Sequence, residues 1–483
     1  MLVRRSKTKR IVQWMMDRPA RVIVASFLLI MAIGTILLMM PFATKSGESI
    51  GFFDSLFTTV SATCVTGLIV RDTATTFNTF GQVVLMLLIQ VGGLGLVTIY
   101  SFAVNLFRRK ISVKTRVLAQ ENSGSFTYSE LKGLLKTIVL MTFAFEFIGF
   151  LLFATQFVPE FGYGDGLFKS LFTSISSFCN AGFDLMGDTA SGPYSSFTAF
   201  NANSVVMLTA TFLIFSGGLG FHVWKDLIDY STQKIKTLIK HDKKERTNIH
   251  MKFHTRLAFF MTVFLLVSGA ILIFLMEMTN DGGLTIGNLS LGEKLNASIF
   301  QSMSLRTAGM NSIDLLAMRD CTKILCVIFM FIGAGAGSTG GGIKVQAFAL
   351  LVSAVKCDIT GKNEVVIRNH RVSRSTVQRA LTIFSLGFLL MILLTCILSV
   401  TERDLIASGK FTFLDLPFES ASAFGTVGLS SAATPQFSFF GQLAIIPVMF
   451  LGRVGPLTFA MGLVTKDKNK VKSVYPEAKI HLG

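Results

Sequence analysis

Charge is scarce in this 483-residue chain: Asp, Glu, Lys and Arg together make up 15%, against about 25% in soluble domains. Proline is scarce too, with nine residues beside 46 Phe and 21 Met. Apolar residues reach 51% and the mean hydropathy is +0.60. This balance excludes a string of soluble domains and points to an integral membrane protein with many spans. The six cysteines, Cys64, Cys179, Cys321, Cys326, Cys357 and Cys396, form no CxxC pair. Five adjoin or lie in apolar sequence and Cys357 is expected in a basic loop, so neither a zinc site nor a disulfide framework is expected. His222, His241, His250, His254 and His370 fall mostly in basic stretches, which argues against a metal site. No HExxH motif and no nucleophile–base pair occurs in the apolar runs, so the chain is not expected to be an enzyme.

What charge there is carries a pattern. The formal net charge is +17, and 35 of the 45 Lys and Arg cluster at 1–21, 108–136, 225–256, 344–379 and 466–479. Acids concentrate in the stretches between. Basic loops that alternate with acidic ones mark the cytoplasmic side of a membrane protein rather than a nucleic-acid surface. Both termini are therefore expected in the cytoplasm of a multi-pass cell-membrane protein. The charge run at 231–256 would face solvent, lipid or a partner.

Apolar runs long enough to span appear at 22–41, 81–107, 134–157, 203–224, 255–276, 322–352, 377–400 and 441–464. The first is too long for a signal peptide core, and Pro41-Phe42 follows it in place of a small-residue cleavage site. Within each pair of runs lies a shorter stretch, at 52–64, 167–179, 294–305 and 413–424. A helix of that length rises only about 18 Å, so it enters a bilayer without crossing it. The four short stretches end in SATCVTGL, SSFCNAGF, SLRTAGM and AFGTVGL. Aligned on Gly67, Gly182, Gly309 and Gly428, the positions ten upstream are Phe57, Phe172, Ile299 and Phe418, and those one downstream are Leu68, Phe183, Met310 and Leu429. A second mark follows in each: QVGGLGL, FSGGLGF, FIGAGAGSTGGGIK and FLGRVGP. The unit is span, half-helix, glycine loop, span, repeated four times. The fold class is an all-α integral membrane protein with four such units around one central pore. Its divisions are a basic N-terminus (1–21), units at 22–107, 108–229, 230–352 and 353–465 with their basic linkers, and a C-terminal tail (466–483).

A half-helix that stops inside a membrane must bury its freed backbone groups in protein or line water. Four such loops around one axis can offer carbonyl oxygens in place of a cation's hydration shell, and the electronegative C-terminal ends of the half-helices favour a cation nearby. Carboxylates are missing from the loops themselves, which favours a large monovalent ion over a divalent one.

TCVTGL, FCNAGF, RTAGM and GTVGL within this fourfold pattern resemble the Trk/Ktr/HKT superfamily of potassium transporters over nearly the whole chain. GAGAGSTGGGIK and GRVGPLT look like that family's third and fourth units. With no extra pair of spans before the first unit, and with Tyr475-Pro476-Glu477 in its tail, the chain is more similar to the Ktr membrane subunit than to the longer Trk subunit. The resemblance implies potassium uptake, with backbone carbonyls of Val65, Thr66, Gly67; Asn180, Ala181, Gly182; Thr307, Ala308, Gly309; and Thr426, Val427, Gly428 as ligands. It also implies a homodimer docked on a cytosolic nucleotide-binding (RCK-type) regulatory ring, in contact with membrane lipid, and no organic cofactor in this chain. Gly67, where sodium-selective relatives carry Ser, favours potassium. Sodium or mixed transport is the alternative within the family, and a secondary transporter of an organic solute is the alternative outside it. The latter would need charged or aromatic midplane ligands, which the four loops lack.

GAGSTG (335–340) also fits GxGxxG, with Asp358 beyond it, but a dinucleotide site needs a βαβ setting that spans do not supply. Lys344 lies outside any GK[ST], so a phosphate-binding loop is excluded. In the GGLG copies, glycines are expected to serve tight helix packing. In the third copy six glycines in ten residues oppose a continuous helix, at roughly 1 kcal/mol each relative to alanine. A mobile loop obstructing the pore is expected there, a gate built from Gly335, Gly337, Ser338, Thr339, Gly340, Gly341 and Lys344. Arg453 replaces the glycine pair in the fourth copy, and at that depth it needs a partner, which the loop's carbonyls or hydroxyls can provide. Arg306, just before Gly309, is expected to support the filter from behind through an ion pair.

Overall fold

The computed structural model describes residues 19–106, 128–239, 250–362, 364–431 and 433–463. The N-terminal basic segment to residue 18, most of the first basic linker, His241 and the tail with Tyr475-Pro476-Glu477 lie outside the described residues. The first unit comprises α1 (Pro19–Met39), α2 (Phe52–Cys64) and α3 (Thr79–Leu106). The second comprises α4 (Tyr128–Phe161), α5 (Tyr163–Cys179), α6 (Ser204–Leu219) and α7 (Phe221–Ile239). The third comprises α8 (Phe253–Glu277), α9 (Leu291–Ser304), α10 (Asp320–Phe331) and α11 (Val345–Ile359). The fourth comprises α12 (Arg374–Thr401), α13 (Asp415–Gly425), α14 (Phe439–Val454) and α15 (Pro456–Leu463). A short hairpin, β1 (Val366–Ile367) with β2 (His370–Arg371), joins α11 to α12. Cys357, expected in a loop, is buried near the end of α11, and His222 and His254 lie in α7 and α8.

Four unbroken helices among the described residues are long and apolar enough to cross a bilayer: Arg21–Met39, Lys136–Phe161, Phe253–Glu277 and Arg374–Thr401. Each opens a unit. On α8, Phe260, Phe264, Val267, Ile271 and Leu275 are all exposed. An apolar stripe turned outward along a span is what hydrocarbon as solvent demands.

The other four expected spans are not single helices. Gly95 takes φ 63 within α3, Gly220 takes φ 104 between α6 and α7, and Gly455 takes φ 88 between α14 and α15. The bend at Gly220 turns the chain by 97°. In the third unit residues 332–344 leave the helix altogether. Only this last break was expected; the GGLG copies were expected to continue as packed helix. The left-handed φ at the last glycine of each mark is the physical reason, because it cannot be continued as α-helix.

Each unit is also clasped in the same way. The residue before its last membrane-entering helix binds back to the end of its first span. Asn78 Nδ2 donates to the Phe42 carbonyl at 2.7 Å, and Asn203 Nδ2 to Gln156 Oε1 at 3.0 Å. The Arg319 amide donates to Glu277 Oε1 at 3.0 Å, and the Ser438 amide to Glu402 Oε2 at 2.9 Å. Between units, α3 packs on α5, α6 on α9, α10 on α13, and α14 on α2. The second span of each unit thus rests on the half-helix of the next, and the fourth closes on the first.

Candidate ion pathway

All four half-helices carry an acid in the first turn: Asp54, Asp165, Glu293 and Asp415. That sign complements the helix dipole. Their inner ends are small and buried, with Ser61, Ala62 and Thr63 fully buried on α2 and Ser176 and Ser177 on α5. A non-glycine residue turns left-handed two positions before each aligned glycine, as the C-cap of the half-helix in units one, two and four and two residues beyond the Leu305 cap in unit three. These residues are Val65 (φ 56), Asn180 (φ 58), Thr307 (φ 72) and Thr426 (φ 51). Four left-handed residues that are not glycine, repeated at one register, are strain held by the surroundings. Serines do part of the holding. Ser61 Oγ accepts from the Gly67 amide at 3.1 Å and Ser422 Oγ from the Gly428 amide at 3.0 Å. Ser176 donates to the Phe183 carbonyl at 2.5 Å, and Ser304, one place later in register, donates to the Met310 carbonyl.

The four glycines meet. A Cβ on Gly67 would lie 2.6 Å from the Ala181 carbonyl oxygen, and one on Gly182 3.0 Å from that of Ala308. One on Gly309 would lie 2.3 Å from the Val427 oxygen, and one on Gly428 2.2 Å from the Thr66 oxygen. The order 67, 182, 309, 428 and back to 67 is a closed ring. Each glycine adjoins a carbonyl of the next unit, and a side chain there would have to displace that carbonyl. The ring floors a cavity of about 60 Å³ that also holds Asp184, Asn311 and Ser430.

On the other side of the ring the glycine-rich segment of the third unit is bound to all its neighbours. The Gly335 amide donates to the Gly218 carbonyl at 2.9 Å and the Thr339 amide to that of Gly217 at 3.2 Å. The Phe221 amide donates to the Gly337 carbonyl at 2.9 Å. A Cβ on Gly340 would lie 2.0 Å from Thr307 Oγ1, and one on Gly341 2.2 Å from Thr426 Oγ1. The segment therefore lies directly against the ring residues of units three and four. Lys344 Nζ donates to the Gly340 carbonyl at 2.7 Å, and Ser338 Oγ to that of Gly335 at 2.6 Å. Arg453 donates to the carbonyls of Thr339 and Gly92, and at 3.4 Å to that of Gly93. Lys344, Ser338 and Arg453 line a cavity of about 320 Å³.

The glycines of the other marks have the packing use expected of them. A Cβ on Gly92, Gly217 or Gly452 would lie 2.2, 1.9 or 2.1 Å from the carbonyl of Thr63, Phe178 or Phe424, at the end of the same unit's half-helix. Arg306 differs from expectation. It is 1% exposed, and no carboxylate pairs with it among the described residues. It donates instead to the carbonyls of Gly333 at 3.2 Å and Thr262 at 3.5 Å. The Gly333 carbonyl is free because it lies just past the end of α10, the Thr262 carbonyl lies within α8, and Arg306 Nε has no hydrogen-bond partner among the described residues.

Gln346, Asp184 and Thr73 escaped the sequence reading. Gln346 Oε1 accepts from the Ala336 amide at 3.0 Å, supporting the glycine segment. The breaks at Gly95, Gly220 and Gly455 were also missed, although they align as the last glycine of each repeated mark.

The sequence matches the TrkH family, described as a cation transport protein, over residues 2–471. It is 36% identical to Ktr system potassium uptake protein B of Bacillus subtilis, across 98% of this chain and 99% of that protein. It is also 36% identical to the potassium/sodium uptake protein NtpJ of Enterococcus hirae, across 96% and 97%. The crystal structure of the potassium transporter TrkH from Vibrio parahaemolyticus superposes with a TM-score of 0.63 at 18% identity, covering 91% of this chain and 84% of that one, a likeness of fold.

Proposed function

The chain belongs to the TrkH family of cation transport proteins, and from that premise we propose that it takes up potassium across the cell membrane through the ring of Gly67, Gly182, Gly309 and Gly428. The observation that carries this reading is the closure of the ring, in which each glycine adjoins the preceding carbonyl of the next unit. Carbonyl oxygens of Val65, Thr66 and Gly67, and of their counterparts in the other units, serve as ligands that replace water. The basic loops lie inside, so the cavity with Asp184 opens outside and the cavity with Arg453 opens to the cytoplasm. Gly67 favours potassium over sodium. The B. subtilis relative is named as part of a Ktr system, and the E. hirae relative is named for both ions. The test is growth rescue at low potassium in cells lacking their own uptake systems. No rescue by membrane-inserted protein, with its regulator present, overturns the reading.

The glycine segment 335–341 is the gate, held closed by Arg453 and Lys344. Shortening it raises flux and leaves selectivity intact, since the ring is untouched. Flux at the wild-type level in an assembled deletion variant leaves these glycines with a packing role only. The working assembly is a homodimer on a cytosolic nucleotide-binding ring. Failure of the purified chain to co-elute with a co-expressed regulator removes that part of the reading.

A further inference from the structure

The cavity beyond the ring is not fourfold. Two residues after each ring glycine stand Ile69, Asp184, Asn311 and Ser430, and all four line it. Only one of these four positions is a carboxylate. Asp72 also lines the cavity, but its Oδ1 accepts from the Thr75 amide and hydroxyl at 2.8 and 2.9 Å and its Oδ2 from the Tyr194 amide. Asp184 is half-buried, and its Oδ1 accepts from the Met186 amide at 3.0 Å. The Asn311 amide nitrogen is spent on the Ile313 carbonyl at 3.0 Å, and the Ser430 hydroxyl donates to Glu419 at 2.6 Å. The single Ser430 hydrogen is thereby engaged, which leaves its oxygen as an acceptor, and one of the two Asn311 side-chain N–H groups is engaged, with Oδ1 as that side chain's acceptor.

A separate observation comes from the first unit. Thr73 lines the same cavity and is 2% exposed, yet its hydroxyl has no hydrogen-bond partner. A buried hydroxyl with no partner costs free energy unless water or an ion meets it. Nearby, Tyr194 (φ 64) and Ser196 (φ 49) hold left-handed conformations without being glycine. The Tyr194 amide donates to Asp72 Oδ2 at 3.0 Å, and Ser196 Oγ accepts from the Asn311 amide at 3.3 Å. Strain of this kind persists where the surroundings impose it. Here it carries the second unit's loop from the first unit to the third across the mouth.

We propose that this mouth is a second monovalent-cation site, in which Asp184 supplies the charge and Thr73, Asn311 and Ser430 supply neutral oxygens, and which the ion occupies before it enters the ring. The proposal rests on the reading of the ring as the conduction path. A cavity of about 60 Å³ admits an ion with part of its water. With the Asp72 oxygens already engaged by Thr75 and Tyr194, Asp184 is the one carboxylate left to meet the ion among neutral oxygens. That suits a monovalent ion, since calcium takes six to eight oxygen ligands, carboxylates prominent among them. The site concentrates the ion without holding it tightly, which conduction requires.

The test uses the full-length chain in cells lacking other potassium uptake, reading KM and maximal rate for potassium and rubidium. Asp184→Asn keeps the acceptor for Met186 and removes the charge. It should raise KM about fivefold, which is ~1 kcal/mol at 1.4 kcal/mol per tenfold. The maximal rate and the potassium-to-sodium ratio should hold, and Asp184→Glu should restore KM. An unchanged KM in membrane-inserted Asp184→Asn overturns the site, as does a loss confined to maximal rate. If that variant does not reach the membrane, Thr73→Val carries the test, and an unchanged KM there overturns the site equally. Failure of the wild type to transport potassium is a different result and counts against the conduction path itself.

Discussion

Arg453 donates to the carbonyl oxygen of Thr339, joining the last span of the fourth unit to the glycine segment of the third. The same guanidinium reaches the Gly92 and Gly93 carbonyls of the first unit. One cation thus ties three units together on the side of the ring away from Asp184, and it lines the larger cavity there.

Replacing Arg453 by Gln removes that charge and its forked reach while keeping a donor. Potassium flux should rise by about tenfold, the change that ~1.4 kcal/mol off a barrier gives. The ratio of sodium to potassium flux should stay as in the wild type, because the ring is not touched. Parallel uptake of the two ions checks both statements, and a changed ratio would assign Arg453 to selectivity.

Gly67→Ser puts a side chain where even a Cβ would lie 2.6 Å from the Ala181 oxygen, at φ 92. The second-unit carbonyl must turn or retreat. Sodium flux relative to potassium should rise by about tenfold. Equal relative permeation in a folded, inserted variant would remove Gly67 from the ion's path.

The ring was legible in sequence because its demand is a backbone demand. Gly67, Gly182, Gly309 and Gly428 sit at φ 92, 73, 76 and 93 and touch each other's units, so the same residue recurs at the same register. The breaks at Gly95, Gly220 and Gly455 were less legible. Apolar sequence runs on past Gly95 and Gly455, as in LVTIY and PLTFAMGLV, and one glycine costs a helix only about 1 kcal/mol. The partners of Arg306 were misjudged for a different reason. Carboxylates can be counted in a sequence, whereas the backbone carbonyls that a buried guanidinium reaches cannot. The contact of Arg453 with Gly92 is tertiary throughout and leaves no mark in either segment.

Lys323 and Asp415 form a pair at 2.8 Å between α10 and α13, with side chains 3% and 1% exposed. Asp415 also accepts from the Thr412 amide at 2.8 Å. Removing one partner strands a buried charge, at a cost of ~3–5 kcal/mol. Asp415→Asn should therefore lower the thermal midpoint in detergent well below that of the wild type. The double variant Lys323→Met with Asp415→Asn should recover most of the loss, and a double variant no better than the single one would contradict this account.

Asp184 lies in the loop beyond Gly182, outside the helices, where burial, with a smaller contribution from the charge of Asp72, pushes its carboxyl up to about 6. The Met186 amide, Ser196 and the Lys169 ammonium act the other way, and Lys169 is itself paired with Asp188 at 2.5 Å. Tyr194, whose own hydroxyl is raised chiefly by burial, borders the same cavity. The sign for transport follows. Above about pH 6 the mouth carries the carboxylate, and below it the proton occupies the group. KM for potassium should rise as external pH falls through that value, with maximal rate little changed, and Asp184→Asn should flatten the profile at the higher KM. Stability moves in the opposite direction. A carboxyl raised from its ordinary value near ~4 binds a proton more tightly in the folded chain, so its contribution to stability is present below that value and is lost as pH rises through the folded pKa. Weaker uptake at pH 5 therefore cannot be this group unfolding the protein. Uptake kinetics from pH 5 to 8, measured with the internal pH clamped, decide the matter. A KM that does not change with external pH would place the Asp184 charge away from the ion.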